Sequence, residues 1–268
     1  EFNKWSLIHR KEKFEKQLQE TQNQEIERIN NFQGTQIELK VFPVPIGLPR
    51  YRIGNGRTVS AQKEWETLNS KETGFLANAD PELLDVQQAQ QDLLLKMVTE
   101  ADLEKKFKKK ELQTSPLILD TNGFVVNGNR RLSCWRKLYE SDPKTYPHFE
   151  YVRVVVLPQC DAKEIDKLEA SLQIDPDTRS DYVWHTEMAM INQKQKNNYS
   201  VEDLSKLYGK KKKDIEEILR IYSLAEEYLK EIERENVWSL VDNEEYAIRA
   251  LDKELKKSKN ESEKALKK

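Results

Sequence analysis

Apolar residues in the first 34 positions recur at a spacing that follows one face of a helix. The stripe consists of Trp5, Leu7, Ile8, Phe14, Leu18, Ile26, Ile29 and Phe32, set among many charged residues. This spacing predicts an N-terminal helical arm over residues 1–34. Such an arm either packs on the body of the protein or holds a partner protein, and packing on the body is the interpretation we favour.

The pattern changes to alternation after residue 34. Alternating apolar residues predict a strand over Thr35–Phe42, and three prolines then force an extended segment over residues 43–49. Helices are predicted over Thr58–Leu68 and from Asp80-Pro81 onward. The second of these helices has an apolar stripe that is expected to face the core: Leu83, Leu84, Leu94, Leu95 and Val98.

Two short apolar runs, Pro116–Leu119 and Phe124–Asn127, are separated by Asp-Thr-Asn-Gly, which is turn chemistry typical of a β-hairpin. A helix through Tyr139 and a strand over Tyr151–Leu157 follow, and after Pro158 the pattern is helical throughout. The helical stretches are Ile165–Leu172, Tyr182–Gln195, Val201–Leu207, Lys212–Leu219 and Leu224–Glu233. Strands in the first part and helices in the rest predict an α+β fold.

The helix after the hairpin begins with Gly128-Asn-Arg-Arg131. A helix N-terminus presents unpaired backbone N–H groups and the positive end of the helix dipole, so it suits an anion. Arg130 and Arg131 would oppose that dipole unless a phosphate lies between their guanidinium groups and the backbone. The sequence therefore predicts a phosphate site at Gly128, Asn129, Arg130 and Arg131. The alternative is a surface turn whose arginines pair with carboxylates, and the motif alone favours neither interpretation.

A second arginine-rich segment is Arg50-Tyr-Arg-Ile-Gly-Asn-Gly-Arg57. This segment could be either a second anion-binding loop or a solvated loop, because it contains two glycines and three arginines: Arg50, Arg52 and Arg57. Taken alone, this segment favours the solvated loop.

Charge and composition limit the classes of function. The 268-residue chain has 45 basic and 47 acidic residues and a net charge of −2, so contact with nucleic acid must come from a local patch. Its apolar runs are too short to cross a bilayer, so no membrane partner is expected. Cys134 and Cys160 have neither CxxC spacing nor clustered histidines, which excludes zinc ribbons and thioredoxin-type chemistry. We therefore expect a cytoplasmic protein.

A local basic patch lies in the C-terminal part of the chain. Ser200 and Asp203 have the pattern of a capping box, and Gly209 permits a tight turn between two short amphipathic helices. This pattern predicts a helix-turn-helix whose second helix reads DNA, and a helical hairpin within a bundle is the alternative. Residues 194–220 hold eight basic and five acidic side chains, a small surplus that supports phosphate contacts. The residues expected at the DNA are Lys210, Lys211, Lys212, Lys213 and Arg220.

In their order and spacing, these segments resemble the ParB partition-protein family over about residues 35–227. Gly128-Asn-Arg-Arg131 stands where that family has a glycine, a polar residue and two arginines at its nucleotide site. The run Leu112–Leu119 is similar to the helix end and strand that precede the site, and Gly209–Leu224 is similar to the family's helix-turn-helix. The resemblance implies an N-terminal domain of the sulfiredoxin fold, a small mixed sheet with helices, followed by an all-α helix-turn-helix domain.

The resemblance also implies ligands. A nucleoside triphosphate, CTP or ATP, with or without Mg²⁺, would bind with Arg130 and Arg131 on its phosphates and with the arginines of residues 50–57 nearby. DNA would bind to the Lys210–Arg220 helix, often with the protein as a homodimer. One departure counts against metal binding and hydrolysis in the family's manner. The family's Glu-Asn-x-Gln-Arg segment corresponds here to Ala170–Ile174, with Glu169 one place out of register.

These features divide the chain into an N-terminal helical arm (1–34), a ParB/sulfiredoxin-like domain (35–158), a helical domain with the helix-turn-helix (159–251) and a charged tail (252–268). The leading hypothesis is a ParB-like DNA-binding protein that senses or uses a nucleotide, of plasmid, phage or mobile-element type. One alternative is a ParB-fold nuclease or nucleotide hydrolase in phage defence. Another is a non-catalytic interaction module that holds a partner protein through the N-terminal helix, so whether the chain is an enzyme stays open.

Overall fold

A computed structural model describes residues 5–22, 25–54, 56–100, 107, 112–174 and 183–266. The chain forms two compact units, of which the first contains residues 1–55 and 78–180 and the second contains residues 56–77 and 181–268. This division differs from the domains predicted from sequence. Residues 56–77 cluster with the C-terminal helices, and residues 159–174 cluster with the first unit.

Both helices and strands occur along the chain, and each kind is numbered in chain order. The helices are α1 (Leu7–Glu20), α2 (Val59–Leu68), α3 (Phe75–Asn78), α4 (Leu84–Glu100), α5 (Asn129–Ser141), α6 (Ala162–Ile174), α7 (His185–Lys196), α8 (Val201–Tyr208), α9 (Lys212–Glu231) and α10 (Glu245–Leu266). The strands are β1 (Ile26–Phe32), β2 (Thr35–Lys40), β3 (Phe42–Pro45), β4 (Arg50–Tyr51), β5 (Leu117–Leu119), β6 (Phe124–Asn127) and β7 (Tyr151–Val156). This α+β content confirms the predicted class.

The N-terminal segment is a helix followed by a hairpin. α1 packs on the rest of the first unit through Phe14, which is buried in the core of that unit. Beyond α1 the helical prediction is wrong, because β1 and β2 pair as an antiparallel two-stranded sheet. A register shift between Ile29 and Phe32, with Asn31 at φ +58°, leaves both apolar side chains buried.

The first unit is built on a five-stranded mixed sheet in the order β3-β7-β5-β6-β4. β5 and β6 are antiparallel and joined by the turn Asp120–Gly123, which confirms the predicted hairpin. β4 runs parallel to β6, and β5 runs parallel to β7. The strand predicted over Thr35–Phe42 is divided between the two sheets, and β3 is an edge strand, where its prolines are tolerated.

Side chains of α4 cover the other edge of this sheet, β4. The Gln87 amide accepts a hydrogen bond from the Tyr51 N–H at 2.8 Å and donates one to the Tyr51 carbonyl at 2.9 Å. Gln87 thus pairs with β4 as another strand would, which protects an edge that would otherwise be open. The Tyr51 hydroxyl donates to the Gln91 side chain.

The apolar stripe predicted for α4 is only partly correct. Leu94 is buried, but Leu83 and Leu84 are exposed because the helix begins at Leu84 and its buried face carries glutamines. Within residues 101–111 the structure describes only Phe107, which is buried against Trp135 with ring centroids 5.5 Å apart.

The described elements of the second unit are helices. Their core joins α2, α7 and α9, with Tyr222 of α9 stacked on Trp238 at a centroid distance of 4.6 Å. Two separate helices were predicted within Lys212–Glu233, but α9 is continuous, since no glycine or proline interrupts it. α10 extends through the predicted tail as far as Leu266. No helix in the described part of the chain is long and apolar enough to cross a membrane.

Candidate functional site

The loop between β6 and α5 carries the predicted phosphate site. Gly128 has a φ of +106°, in the left-handed region, and precedes Asn129, the first residue of α5. A Cβ at Gly128 would lie 2.3 Å from Cδ2 of Leu117, so both the backbone and the packing require glycine. The first hydrogen bond of the helix joins the Leu132 N–H to the Gly128 carbonyl. The N–H groups of residues 129–131 are therefore the first-turn donors of α5.

Asn129 and Arg130 lie at this helix start with different exposure. Asn129 is buried, its Nδ2 donates to the Val125 carbonyl at 2.9 Å, and its Oδ1 has no hydrogen-bond partner among the described residues. Arg130 is half-buried, and its carbonyl accepts a hydrogen bond from the Ser133 hydroxyl at 2.8 Å. The loop thus combines backbone donors, a guanidinium and a buried amide oxygen.

Arg131 has partners at the start of β5. Its Nη1 donates to the Ser115 carbonyl at 2.9 Å and to the Ser115 Oγ at 2.7 Å. Its guanidinium carbon also lies 5.8 Å from the centre of the Trp135 ring. Burial lowers the pKa of Arg131 to about 10, and the nearby Glu27 acts in the opposite direction. A phosphate role for Arg131 would require it to leave these partners.

Arg52 follows β4 at the same edge of the sheet as Gly128. β4 and β6 are parallel, so their carboxyl ends meet at one edge. There Nη1 of Arg52 pairs with Oε1 of Glu169 at 2.7 Å, and Nη2 pairs with Oδ1 of Asp166 at 3.3 Å. Burial lowers the pKa of Arg52, but these two carboxylates outweigh burial and raise it. A phosphate could use Arg52 only by displacing carboxylates of α6.

The structure does not bring Arg50 to this edge. Arg50 pairs opposite Phe124, at the beginning of β6, whereas Gly128 follows its end. The Arg50 side chain is buried and donates to the Trp5 carbonyl at 3.2 Å. Arg57 lies in the short 3₁₀ turn Gly56–Thr58 of the second unit.

In the second unit, α8 and α9 are two helices joined by a turn at Gly209, where the sequence predicted a pair of short helices. Both hydrogen bonds of the capping box are present, from the Asp203 N–H to Ser200 Oγ at 3.1 Å and from the Ser200 N–H to the Asp203 carboxylate at 3.1 Å. Gly209 ends α8 with a φ of +62°, which confirms its predicted place in the tight turn. Leu204 and Ile215 are buried, so each helix turns one apolar face inward.

The lysines at the start of α9 are not equivalent. Lys210 pairs with Glu187 at 3.3 Å, and Lys212 pairs with Glu202 at 3.0 Å. Lys211 is the N-cap residue of α9, and it and Lys213 are exposed. Exposed basic groups therefore lie at the turn and in the first turn of the second helix.

Arg220 is engaged by α10. Its Nε bonds Oδ1 of Asp252 at 2.5 Å and its Nη2 bonds Oδ2 at 3.3 Å, which is a two-pronged contact with a buried carboxylate. That contact raises the pKa of Arg220. Glu217, on the same side of α9, pairs with Arg249 at 3.5 Å. A DNA contact by Arg220 would have to compete with Asp252.

Sequence reasoning missed the most deeply buried cations, Arg10 and Arg136. Arg10 bonds Glu82, and Arg136 donates to the carbonyls of Ile46 and Pro49. Both arginines lie in amphipathic helices among many other charged residues, so nothing in the sequence distinguishes them. Within the described residues, no three His, Cys, Asp or Glu side chains are grouped so that they could hold a metal ion.

Comparisons with protein-family models, curated proteins and solved structures found no match for this chain. The resemblance to the ParB family therefore stays a prediction that rests on the sequence motifs.

Proposed function

We propose that this chain is a ParB-like DNA-binding protein that contacts DNA phosphates through α8 and α9 and holds a nucleotide phosphate at the start of α5. The observation that carries the proposal is the α8–Gly209–α9 unit. Its capping box, left-handed glycine and inward apolar faces give a helix-turn-helix with exposed lysines at the N-terminus of the second helix.

The charge pattern of α9 supports binding through phosphates more than reading of bases. Lys211 and Lys213 are exposed at its first turn, while Glu216 and Glu217 follow within the next turn. Phosphate contacts position a protein on the duplex, and base contacts specify the sequence. Since Arg220 is engaged by Asp252, we assign DNA contact to the four lysines first, with Lys211 and Lys213 as the main contributors.

The nucleotide part of the proposal rests on the first turn of α5. Backbone N–H groups there follow a left-handed glycine, which is an arrangement that suits a phosphate. We assign the charged contact to Arg130, because it lies half-buried in the first turn of α5 beside these backbone donors. The triphosphate would then be held by the backbone donors of residues 129–131 and by one guanidinium.

The residues present do not fit a magnesium site in the family's manner. Glu169, the carboxylate nearest the family's magnesium segment in sequence, is paired with Arg52, and Ile174 stands where the family has an arginine. The proposal therefore contains no magnesium-dependent step and no hydrolysis.

A test of the DNA assignment compares three proteins in fluorescence anisotropy with a labelled 30-base-pair duplex. Lys211→Gln/Lys213→Gln removes the two exposed lysines at the turn. Lys230→Gln removes an exposed lysine from the last turn of the same helix and serves as the matched control. We expect the double variant to bind at least tenfold more weakly and the control to bind like the wild type. Equal affinity for all three proteins would contradict the assignment.

A separate calorimetric titration with CTP and ATP tests the nucleotide assignment. Arg130→Ala should abolish the heat of binding, whereas Arg28→Ala, which removes an exposed arginine paired with Glu38 on the β1–β2 hairpin, should leave it unchanged. If the wild-type protein binds neither nucleotide, the nucleotide assignment fails and the DNA assignment still stands on its own test.

A further inference from the structure

Three arginines of the first unit lie together in its interior. Arg10 of α1, Arg50 of β4 and Arg136 of α5 are exposed by 0%, 3% and 2%. Arg10 and Arg50 both donate to the Trp5 carbonyl, at 3.4 and 3.2 Å. Arg136 donates to the Ile46 and Pro49 carbonyls, at 2.9 and 2.5 Å. Each of the three arginines thus donates to at least one backbone carbonyl group.

Glu82 is the carboxylate that bridges two of these arginines. Its Oε1 accepts from Nη2 of Arg10 at 2.6 Å and its Oε2 accepts from Nη1 at 2.7 Å, a two-pronged contact. Oε2 also lies 4.0 Å from Nε of Arg50. The Glu82 side chain is 31% exposed, so the bridging carboxylate lies where the arginine cluster reaches solvent.

Within the cluster, the two neighbouring arginines affect the pKa of Arg50 more strongly than Glu82 does. Burial, Arg10 and Arg136 lower the pKa of Arg50 to about 10, and the opposing effect of Glu82 is smaller than theirs. Nε of Arg10 is also buried without a hydrogen-bond acceptor among the described residues. A buried donor of this kind is favoured to meet a further acceptor, and a group with more oxygens than a carboxylate supplies one.

Glu82 is carried by a turn rather than by a helix. The Leu83 N–H bonds the Asp80 carbonyl at 3.1 Å, the Glu82 N–H bonds the Asp80 side chain at 2.9 Å, and α4 begins only at Leu84. The turn can therefore move its carboxylate away without unwinding a helix. Guanidinium groups match phosphate oxygens as well as carboxylate oxygens, and phosphate carries more charge and more acceptors.

We propose that Arg10 and Arg50, backed by Arg136, form a second anion site in which the Glu82 carboxylate is exchangeable for a phosphate group. The site lies at the beginning of β6, where Arg50 pairs opposite Phe124. It is distinct from the Gly128 loop, which follows the end of that strand. It takes either free inorganic phosphate or the terminal phosphate of a nucleotide, and it does not depend on the proposed DNA or nucleotide function.

The test is a thermal-unfolding and calorimetric titration with sodium phosphate, with sodium chloride at matched ionic strength as the salt control. All proteins carry Arg130→Ala, so that the Gly128 loop does not contribute. Glu82→Gln removes the negative charge that pairs with Arg10 and Arg50. Glu169→Gln is the matched control because it removes a buried carboxylate from an arginine that keeps Asp166. A parallel titration with ATP distinguishes free phosphate from the terminal phosphate of a nucleotide.

We expect phosphate to bind Glu82→Gln at least tenfold more tightly than it binds the protein with Glu82 intact, and to raise Tm more than chloride does. Glu169→Gln should show no such gain. Arg50→Gln, made with Glu82 intact, should lose the phosphate-specific rise in Tm, and it keeps the proposal testable if Glu82→Gln does not fold. Equal effects of phosphate and chloride on Glu82→Gln would overturn the proposal. If that variant does not fold, equal effects of the two salts on the parent protein, or an undiminished phosphate-specific rise in Arg50→Gln, would overturn it.

Discussion

Replacing Gly128 with alanine is expected to destabilise the first unit strongly, whatever ligand the loop binds. Two effects add. A φ of +106° lies in a region that residues with a Cβ avoid, at about 1–2 kcal/mol. The new Cβ would also lie 2.3 Å from Leu117 Cδ2 at the β5 strand, and overpacking of this kind costs about 1–3 kcal/mol. The sum is a loss of about 2–5 kcal/mol in the free energy of unfolding.

Two further glycine variants separate these effects. Gly209→Ala places a Cβ in open space at a φ of +62°, so it should lose only the backbone part, about 1 kcal/mol. Gly54→Ala meets no atom within 4 Å and has no positive φ, so it should be neutral or slightly stabilising. Guanidinium-chloride unfolding followed by tryptophan fluorescence measures all three. A Gly128→Ala protein whose loss of stability is within about 0.5 kcal/mol of that of Gly209→Ala would refute the packing argument.

Two other predictions follow from buried polar contacts. Gln87→Leu removes the two hydrogen bonds that the Gln87 amide makes with the backbone of Tyr51, so it should lower the free energy of unfolding by about 2–5 kcal/mol. Hydrogen exchange at the Tyr51 amide should become faster, and an unchanged exchange rate would contradict this prediction. His185 is buried beside Asp242, and burial lowers its pKa despite that carboxylate. The folded second unit therefore binds fewer protons than the unfolded chain, so Tm should be highest above about pH 6.5 and fall as pH drops below it. His185→Asn should show a smaller fall over the same range.

Local chemistry made the β5–β6 hairpin and the capping box of α8 predictable. Asp120–Gly123 between apolar runs and the Ser200–Asp203 pair each act within a few residues, and the structure contains the predicted hairpin and the predicted capping box. β1 was missed for a physical reason. In a regular strand, residues three apart face opposite sides, so Ile29 and Phe32 indicated a helix, but the irregularity at Asn31 leaves both side chains buried.

The partners of the arginines could not be predicted in the same way. Arg10 meets Glu82 across 72 positions, and Arg52 meets Asp166 across 114. The tertiary fold determines which carboxylates lie within reach of a long charged side chain, and residues far apart in sequence supply them. Arginines of a single segment therefore make contacts of different kinds. Arg50 became part of a buried cluster, and Arg52 an ion pair with α6.

The central claim, that α8 and α9 contact DNA phosphates, is tested most directly by the salt dependence of DNA binding by the wild-type protein. Each phosphate neutralised by a lysine contributes about −0.9 to the slope of log K against log salt concentration. With two to four of the lysines at Lys210–Lys213 engaged, we predict a slope between about −2 and −4 from 50 to 200 mM salt, equal for two unrelated duplex sequences. A slope near zero, or no binding at 50 mM salt, would contradict the account.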